Sequence, residues 1–298
     1  MSESFIEEYN FIRNGGTGFY EQKRGLIAVW GKEAVQFLNG LITNDVAKLE
    51  DGAQMSAAFP NAQGRLLASV RVLKTGKRLL FETEAATHEK VFKNLFRFTF
   101  AGDFFVEDLS ENYRCFEIFN LKSEISNSEL IEFQNDLGKN IFVSNEAAED
   151  FLNSLKNEDA VEVSDELYEV LRIENGVPKY EIDADETTIV PELGDEMISY
   201  NKGCYIGQEI IARIHFRGHV AKKLTGLILE SDAKTGDELK STEGKNAGKI
   251  TSVAFSPMLE KHIALAFVRY DFLAEGTELK IGEQSATVKN LPFVERIG

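Results

Sequence analysis

The C-terminal part of the chain constrains the fold most strongly, because its apolar residues occur in segments that are too short for helices. Five such segments follow Leu224 and are divided by Gly, Asn and Pro: 224–230, 248–255, 262–270, 277–282 and 286–293. Short strands at regular spacing with turn residues between them favour a small closed or nearly closed β unit. The sequence therefore predicts a β-barrel domain over residues 222–298.

Residues 1–110 alternate between helical and strand patterns. The segment 31–46 has apolar residues at the i, i+3, i+4, i+7 spacing of an amphipathic helix, and residues 88–96 repeat this pattern. Between them, three apolar segments over 54–84 are typical of strands, the last two joined by a short turn at Thr75 and Gly76. This order predicts an α+β domain with antiparallel pairing rather than a doubly wound nucleotide-binding fold.

A central α+β domain is predicted over residues 111–221. The alternating segment from Tyr113 indicates a strand, and the polar, acidic stretch 121–164 allows helices but carries no chemical signature. Ser164 then has the character of an N-cap for a helix that Gly176 and Pro178 end.

The overall charge limits the function classes. A formal net charge of −16 argues against a protein that coats nucleic acid, because phosphate binding requires clustered Lys and Arg. The chain has no apolar segment of about 18 to 20 residues and an acidic start, so we expect a cytoplasmic protein with no membrane contact. Its two cysteines, Cys115 and Cys204, are too few for a disulfide framework.

The charge reverses locally in the segment that ends the central domain. Residues 181–196 carry seven acids and no Lys or Arg, whereas 199–223 carry five Lys and Arg and a single acid, Glu209. Such a reversal indicates an anionic ligand, since cationic groups around a cleft attract negative charge. The alternative is a surface on which the acidic segment neutralises the basic one.

Within this basic segment, two glycines bracket Cys204, and Lys202 lies two residues before it. If the loop brings ammonium and thiol together, the positive charge favours the reactive thiolate. The alternative is a buried, inert cysteine. His215 and His219 are four residues apart, but the Glu of the H-E-x-x-H motif is absent and Gly218 weakens the helix, so no metal site is predicted.

Arg172 and Glu174 lie at the end of the helix that Gly176 terminates. A carboxylate there could accept two hydrogen bonds from an amidine-like edge such as that of a pterin. The alternative is an exposed pair on the helix surface.

The segment KGCYIGQE at 202–209, followed by ARIHFRGHVAKKL, resembles the signature of the YgfZ family, folate-binding relatives of the glycine-cleavage T protein. The similarity extends to the segments FLNGLITNDV at 37–46, NAQGRLLAS at 61–69, LRIENGVP at 171–178 and the C-terminal GKITSVAFSP, ALAFVR and LPF. It implies a multidomain α+β fold around a central folate cavity, ending in a small β-barrel. The implied cofactor is tetrahydrofolate or another folate derivative, with no stably bound metal.

The resemblance also implies a function, namely that of an accessory protein for the assembly or repair of iron–sulfur clusters in client enzymes, including radical enzymes that modify tRNA. Its implied partners are a polyglutamyl folate and iron–sulfur clients or assembly proteins, without stable nucleic-acid binding. The thiol of Cys204 and the ammonium of Lys202 would carry the chemistry. Glu174 takes the place of the carboxylate that grips the pterin in aminomethyltransferases. The full set of expected ligand-binding residues is Arg172, Glu174, Lys202, Tyr205, Gln208, Glu209, Arg213 and Arg217.

One departure disfavours a classical aminomethyltransferase. Ala68 and Ser69 occupy the positions at which the glycine-cleavage T protein carries a pair of aspartates, one of them needed for aminomethyl transfer. The alternative function is a different folate-dependent one-carbon transferase, with Asp45 or Glu209 as the replacement acid or base. A third hypothesis is a tRNA-binding module that uses the basic residues of 213–223.

Overall fold

The computed structural model describes residues 2–121 and 130–296. Within them, the helices are α1 Glu3–Arg13, α2 Ala34–Leu41, α3 Ala85–Phe96, α4 Ala148–Asn157, α5 Asp165–Glu174 and α6 Gln208–Arg217. The strands are β1 Gly18–Gln22, β2 Arg24–Trp30, β3 Gln54–Pro60, β4 Leu66–Thr75, β5 Arg78–Glu84, β6 Phe105–Asp108, β7 Tyr113–Phe119, β8 Ile131–Gln134, β9 Lys139–Ser144, β10 Val161–Glu162, β11 Lys222–Leu229, β12 Glu238–Ser241, β13 Asn246–Ser256, β14 Lys261–Arg269, β15 Glu278–Ile281 and β16 Gln284–Lys289.

The first sheet is antiparallel and has the strand order β3-β4-β5-β2-β6. The amphipathic helices α2 and α3 cover it, with Leu38 and Leu95 packed in the same apolar core as Phe59 and Phe81 of the sheet. The predicted helices, strands and antiparallel pairing of this region are therefore confirmed. The turn between β4 and β5 is as tight as expected, because Thr75 pairs directly with Arg78.

The second sheet has the order β10-β1-β7-β9-β8, and its strands pair antiparallel except for β1 with β10. Cys115 lies in an apolar cluster shared by strands of both sheets, which explains why this thiol is buried. Because β1 joins β7, the sheet takes strands from both sides of residue 110. The predicted domain limits at 110/111 and 221/222 stay a prediction.

The stretch 121–164, predicted only as polar with room for helices, contains the strands β8 and β9 as well as α4. Part of it, 122–129, lies outside the described residues. The helix predicted to begin after Ser164 is confirmed as α5, since the Ser164 hydroxyl accepts a hydrogen bond from the backbone of Leu167.

The predicted barrel is confirmed as a closed ring in the order β11-β14-β13-β12-β15-β16, with β11 also paired to β16. Five of its strands correspond to the predicted apolar segments. The strand β12 was missed because it is short and carries two charges, although Leu239 and Ser241 point inward and are buried.

The chain between α5 and α6 crosses back to the first sheet, and we call residues 180–207 the strap. Its apolar side chains, including Val190 and Tyr205, pack on Ala58 and Leu66 of the sheet. Backbone hydrogen bonds fix it there, among them Leu66 N to Thr188 O at 2.8 Å. The strap therefore brings the cysteine motif next to the N-terminal sheet. Among the described residues, the helices are too short or too polar to cross a bilayer.

Candidate functional site

A cavity of about 1430 Å³ lies where both sheets, the strap and the barrel meet. Residues of β1, β2, β4, β5, α5, the strap and the start of β11 line it. Ligand pockets for single small molecules usually measure about 300–1,000 Å³. The cavity therefore has room for an extended ligand, or for two smaller ones.

Arg172 lines this cavity, as a ligand-binding residue should, but its donors already have partners in the protein. Its guanidinium donates to Glu169 at 2.9 Å, to Asp183 at 2.7 Å, to the Val177 carbonyl at 3.0 Å and to the Ser252 hydroxyl at 2.9 Å. These contacts join α5 to the strap and to the barrel. The predicted contact of Arg172 with a ligand stays a prediction, and the structure gives the residue an architectural role.

Glu174 is fully buried and is not among the cavity-lining residues. Its carboxylate accepts hydrogen bonds from the Tyr9 hydroxyl at 2.8 Å, from Arg13 and from the Ser256 hydroxyl. Burial, and then the Glu174 carboxylate, raise the pKa of Tyr9 to about 12. The alternative interpretation of Arg172 and Glu174 as an exposed pair is wrong. Pterin binding by Glu174 stays a prediction, and it would require a ligand to reach this enclosed carboxylate.

Two polar groups in the cavity wall lack hydrogen-bond partners among the described residues. The side chain of Arg24 is 14% exposed, and its Nε forms an ion pair with Glu82 Oε1 at 3.2 Å but is buried without a hydrogen bond. Asn175 donates through Nδ2 to the Leu171 carbonyl at 2.7 Å, but its Oδ1 has no partner. Buried polar groups normally have hydrogen-bond partners, so both groups are available to a polar ligand in the cavity.

Two buried carboxylates lie close to Arg24. Burial opposes the ionisation of Glu82, but the charges of Arg71 and Arg24 hold its pKa below the usual range. Glu117 accepts hydrogen bonds from the Tyr168 hydroxyl at 3.1 Å and from Gln22 at 2.8 Å, and burial raises its pKa. Glu82, which lines the cavity, is thus held in its ionised form, whereas burial favours the neutral form of Glu117, which is not a lining residue.

The cysteine motif lies outside the cavity lining, and Cys204 is exposed. The structure does not bring Lys202 and the thiol together by a hydrogen bond. Instead, the Lys202 ammonium donates to the carbonyls of Ile42 at 2.9 Å and Asn44 at 2.6 Å, above the buried ring of Tyr205. The buried-cysteine alternative is therefore wrong for Cys204, and Lys202 anchors the loop that presents the thiol.

Gly207 ends this loop in the left-handed region, at φ +80°. A Cβ at this position would lie 2.4 Å from the Asn61 carbonyl oxygen, so only glycine allows the contact. The segments that carry the family resemblance at 37–46, 61–69 and 202–209 are therefore neighbours in space. Gln208 and Glu209 follow in the first turn of α6, with Glu209 exposed and neither of them lining the cavity.

The basic segment is not neutralised by the acidic one. Among the described residues, the only ion pair between the two segments joins Lys222 to Glu192 at 4.0 Å. Arg213 and Arg217 are exposed on α6, form no ion pair with any residue that the structure describes, and do not line the cavity. Their predicted contact with an anionic tail stays a prediction.

The two histidines do not converge, because α6 ends at Arg217. His215 stacks on Tyr200 with ring centroids 3.6 Å apart, and His219 stacks on Tyr270 at the same distance. Within the part of the chain that the structure describes, no group of three or more His, Cys, Asp or Glu could hold a metal ion.

The residues at the two aspartate positions, Ala68 and Ser69, lie in different environments. Ala68 is fully buried beneath the first sheet, whereas Ser69 lines the cavity. Neither Asp45 nor Glu209, the suggested replacement carboxylates, is among the lining residues. Asp45 instead accepts hydrogen bonds from Asn39 and from the Ala47 backbone, both at 3.2 Å.

The partly buried ammonium of Lys202 predicts a specific pH dependence of stability. Burial lowers its pKa from 10.5 to about 8, with Asp45 acting in the opposite direction. Between pH 8 and 10.5 the unfolded chain holds more protons at this site, so rising pH stabilises the folded state. We expect the free energy of unfolding of the wild type, measured by urea denaturation relative to Lys202→Met, to increase over this range. Lys223→Met, which removes an exposed lysine, is the matched control, and parallel curves for all three proteins would contradict the prediction.

Comparisons with known proteins agree with this architecture. Residues 1–124 match the GCVT N-terminal domain, and residues 222–295 match the glycine cleavage T-protein C-terminal barrel domain. The aminomethyltransferase of Thermoanaerobacter pseudethanolicus is 26% identical, over 97% of this chain and 88% of that protein. The tRNA-modifying protein YgfZ of Hamiltonella defensa is 30% identical, over 67% of this chain and 66% of that protein.

Two further similarities complete the comparison. A homologue of a mitochondrial iron–sulfur cluster assembly factor from Mycosarcoma maydis is 26% identical, over 68% of this chain and 55% of that protein. The crystal structure of the glycine cleavage system aminomethyltransferase T from Bartonella henselae superimposes with a TM-score of 0.88, at 20% identity, over 98% of this chain and 90% of that one. Both terminal domains and the fold they form place the chain in the glycine-cleavage T-protein superfamily.

Proposed function

We propose that this protein binds a reduced folate in its central cavity and acts in the cytoplasm as an accessory protein of the YgfZ type. It supports the assembly or repair of iron–sulfur clusters in client enzymes, including enzymes that modify tRNA. The observation that carries the proposal is the position of Cys204, which is exposed on an anchored loop outside the cavity. A ligand in the cavity leaves this thiol accessible to a protein partner.

The cavity fits a folate in its chemistry as well as in its volume. Tyr20 lines it and stacks on Tyr168 with ring centroids 4.2 Å apart, which provides an aromatic surface for a flat ring system. Arg24 has donors for an anionic group, and the Oδ1 atom of Asn175 is an acceptor that lacks a donor. A bound reduced folate would supply the nitrogen atoms that carry one-carbon units.

The iron–sulfur cluster is cargo in this proposal. Clusters are normally held by several thiolates, so a lone Cys204 would act together with thiols of the client or of a small molecule. The names of two similar proteins, a tRNA-modifying protein and a cluster assembly factor, support this class of function.

A second candidate is a folate-dependent one-carbon transferase, because aminomethyltransferases align with nearly the whole chain. The cavity disfavours it at one position, since Ser69 is the lining residue where the T protein has its aspartate pair. A hydroxyl with an ordinary high pKa is a poor general base at neutral pH.

Titration calorimetry and a turnover assay separate the two candidates. We expect the wild type to bind tetrahydrofolate but not to form its methylene derivative from a lipoyl-bound aminomethyl donor. A glycine-cleavage aminomethyltransferase measured in parallel is the positive control. Turnover at a rate comparable to that of the control enzyme would overturn the accessory function in favour of a transferase. A lack of tetrahydrofolate binding would overturn the folate proposal.

A further inference from the structure

Two arginines in the cavity wall differ sharply in how their donors are used. Each guanidinium carries five N–H donors in a fixed planar arrangement. Arg172 directs its donors to four protein groups, and it is 2% exposed. Arg24 has an ion-pair contact with Glu82 at 3.2 Å but makes no hydrogen bond among the described residues, although its side chain is only 14% exposed.

Glu82 forms an ion pair with Arg24 but leaves the buried Nε–H of Arg24 without a hydrogen bond. Glu82 accepts hydrogen bonds from Arg71 at 2.9 Å and from Asn140, and its contact with Arg24 lacks hydrogen-bond geometry. A buried N–H that has no acceptor lowers the stability of the protein unless a ligand supplies the acceptor. A group whose hydrogen bonds are completed by a ligand avoids this cost in the bound state.

We infer that Arg24 binds the carboxylate of the cavity ligand. A guanidinium matches a carboxylate with two parallel hydrogen bonds, which gives both strength and orientation. The inference rests on the proposed function, and in a reduced folate the carboxylate belongs to the glutamyl end. The stacked aromatic pair Tyr20 and Tyr168 lines the same cavity as Arg24.

The subsite is tested with ligand fragments that separate the two ends of a folate. Calorimetric titrations would use tetrahydrofolate, p-aminobenzoylglutamate, which has the glutamyl end only, and 6-methyltetrahydropterin, which has the pterin only. Free glutamate is the fourth arm, because a separate small acid could supply the same carboxylate. We expect Arg24→Gln to weaken tetrahydrofolate and p-aminobenzoylglutamate by about 10- to 100-fold and to leave the tetrahydropterin unchanged.

Lys23→Gln is the matched control, because the exposed Lys23 also lines the cavity and its loss changes the net charge equally. We expect it to change affinities by less than about threefold. Arg24→Lys keeps the charge but loses the paired donors, so it should give an intermediate loss, and it serves as the test variant if Arg24→Gln does not fold. Thermal unfolding of each variant verifies the fold.

The outcomes separate this inference from the function on which it rests. Tetrahydrofolate binding that survives Arg24→Gln and Arg24→Lys unchanged overturns the Arg24 subsite and leaves the folate proposal standing. An equal loss for the tetrahydropterin also overturns it. The protein could also bind glutamate or p-aminobenzoylglutamate through Arg24 but bind neither the tetrahydropterin nor tetrahydrofolate. That result supports the Arg24 subsite and overturns the folate proposal.

Discussion

Replacing Glu174 by alanine is expected to lower the free energy of unfolding by about 3–5 kcal/mol. The substitution leaves Arg13, whose side chain is only 5% exposed, without its carboxylate, and it removes the acceptor of the Tyr9 and Ser256 hydroxyls. The cost is large because a buried charge that has lost its partner cannot regain its hydration. Urea denaturation followed by circular dichroism measures the change.

The matched control removes both charges together. Arg13→Met combined with Glu174→Met places apolar side chains in the same space, and such replacements of buried pairs are often close to neutral. We therefore expect the double variant to be more stable than Glu174→Ala. A loss of less than about 1 kcal/mol in Glu174→Ala would contradict the structural role of the carboxylate. A Glu174→Gln variant that folds normally but binds tetrahydrofolate weakly would instead show the predicted pterin contact.

The second large effect is expected from the thiol. In cells that lack the protein, a Cys204→Ala copy should fail to restore the activity of iron–sulfur enzymes, because the exposed thiol is the group that the proposed function requires. Its fold should be intact, since the side chain of Cys204 is exposed and makes no hydrogen bond among the described residues. Enzyme activities in cell extracts, at equal accumulation of the variant, measure the effect.

Asn201→Ala is the matched control for this experiment, because it removes an exposed polar side chain from the same loop. It should restore activity fully. Full restoration by Cys204→Ala would remove the thiol from the function, whereas failure of both variants would point to the loop surface rather than to sulfur chemistry.

The barrel was predictable because its strands and the turns between them are marked by short, local sequence patterns. An apolar strand followed by Gly, Asn or Pro defines each hairpin within about ten residues, so periodicity is sufficient. The strand β12 was not predicted, because it has only four residues, two of them charged, and alternation of buried and exposed positions over four residues is too short to recognise. The second sheet was harder, since β1 pairs with β7 across almost a hundred residues of chain and no local pattern records that contact.

The candidate site shows the same division. The cysteine motif is recognisable in the sequence. The anchoring role of Lys202 is not, because its partners Ile42 and Asn44 lie about 160 residues away along the chain. Glu174 is identified from the sequence as a candidate functional carboxylate. Its hydrogen-bond donors Tyr9 and Arg13 could not be predicted, because they lie in a helix at the other end of the chain. Arg24 was not predicted, because it begins an ordinary apolar strand and only its buried Nε–H without a hydrogen bond distinguishes it.

The strand β13 has a consequence for any attempt to divide the protein. Ser252 and Ser256 lie four residues apart on this strand. The Ser252 hydroxyl accepts a hydrogen bond from Arg172, and the Ser256 hydroxyl donates one to Glu174. Both of those charged groups are buried in α5, outside the barrel. A fragment that ends before residue 222 would therefore expose an unfinished charged interior, since two hydroxyls of the missing part complete it.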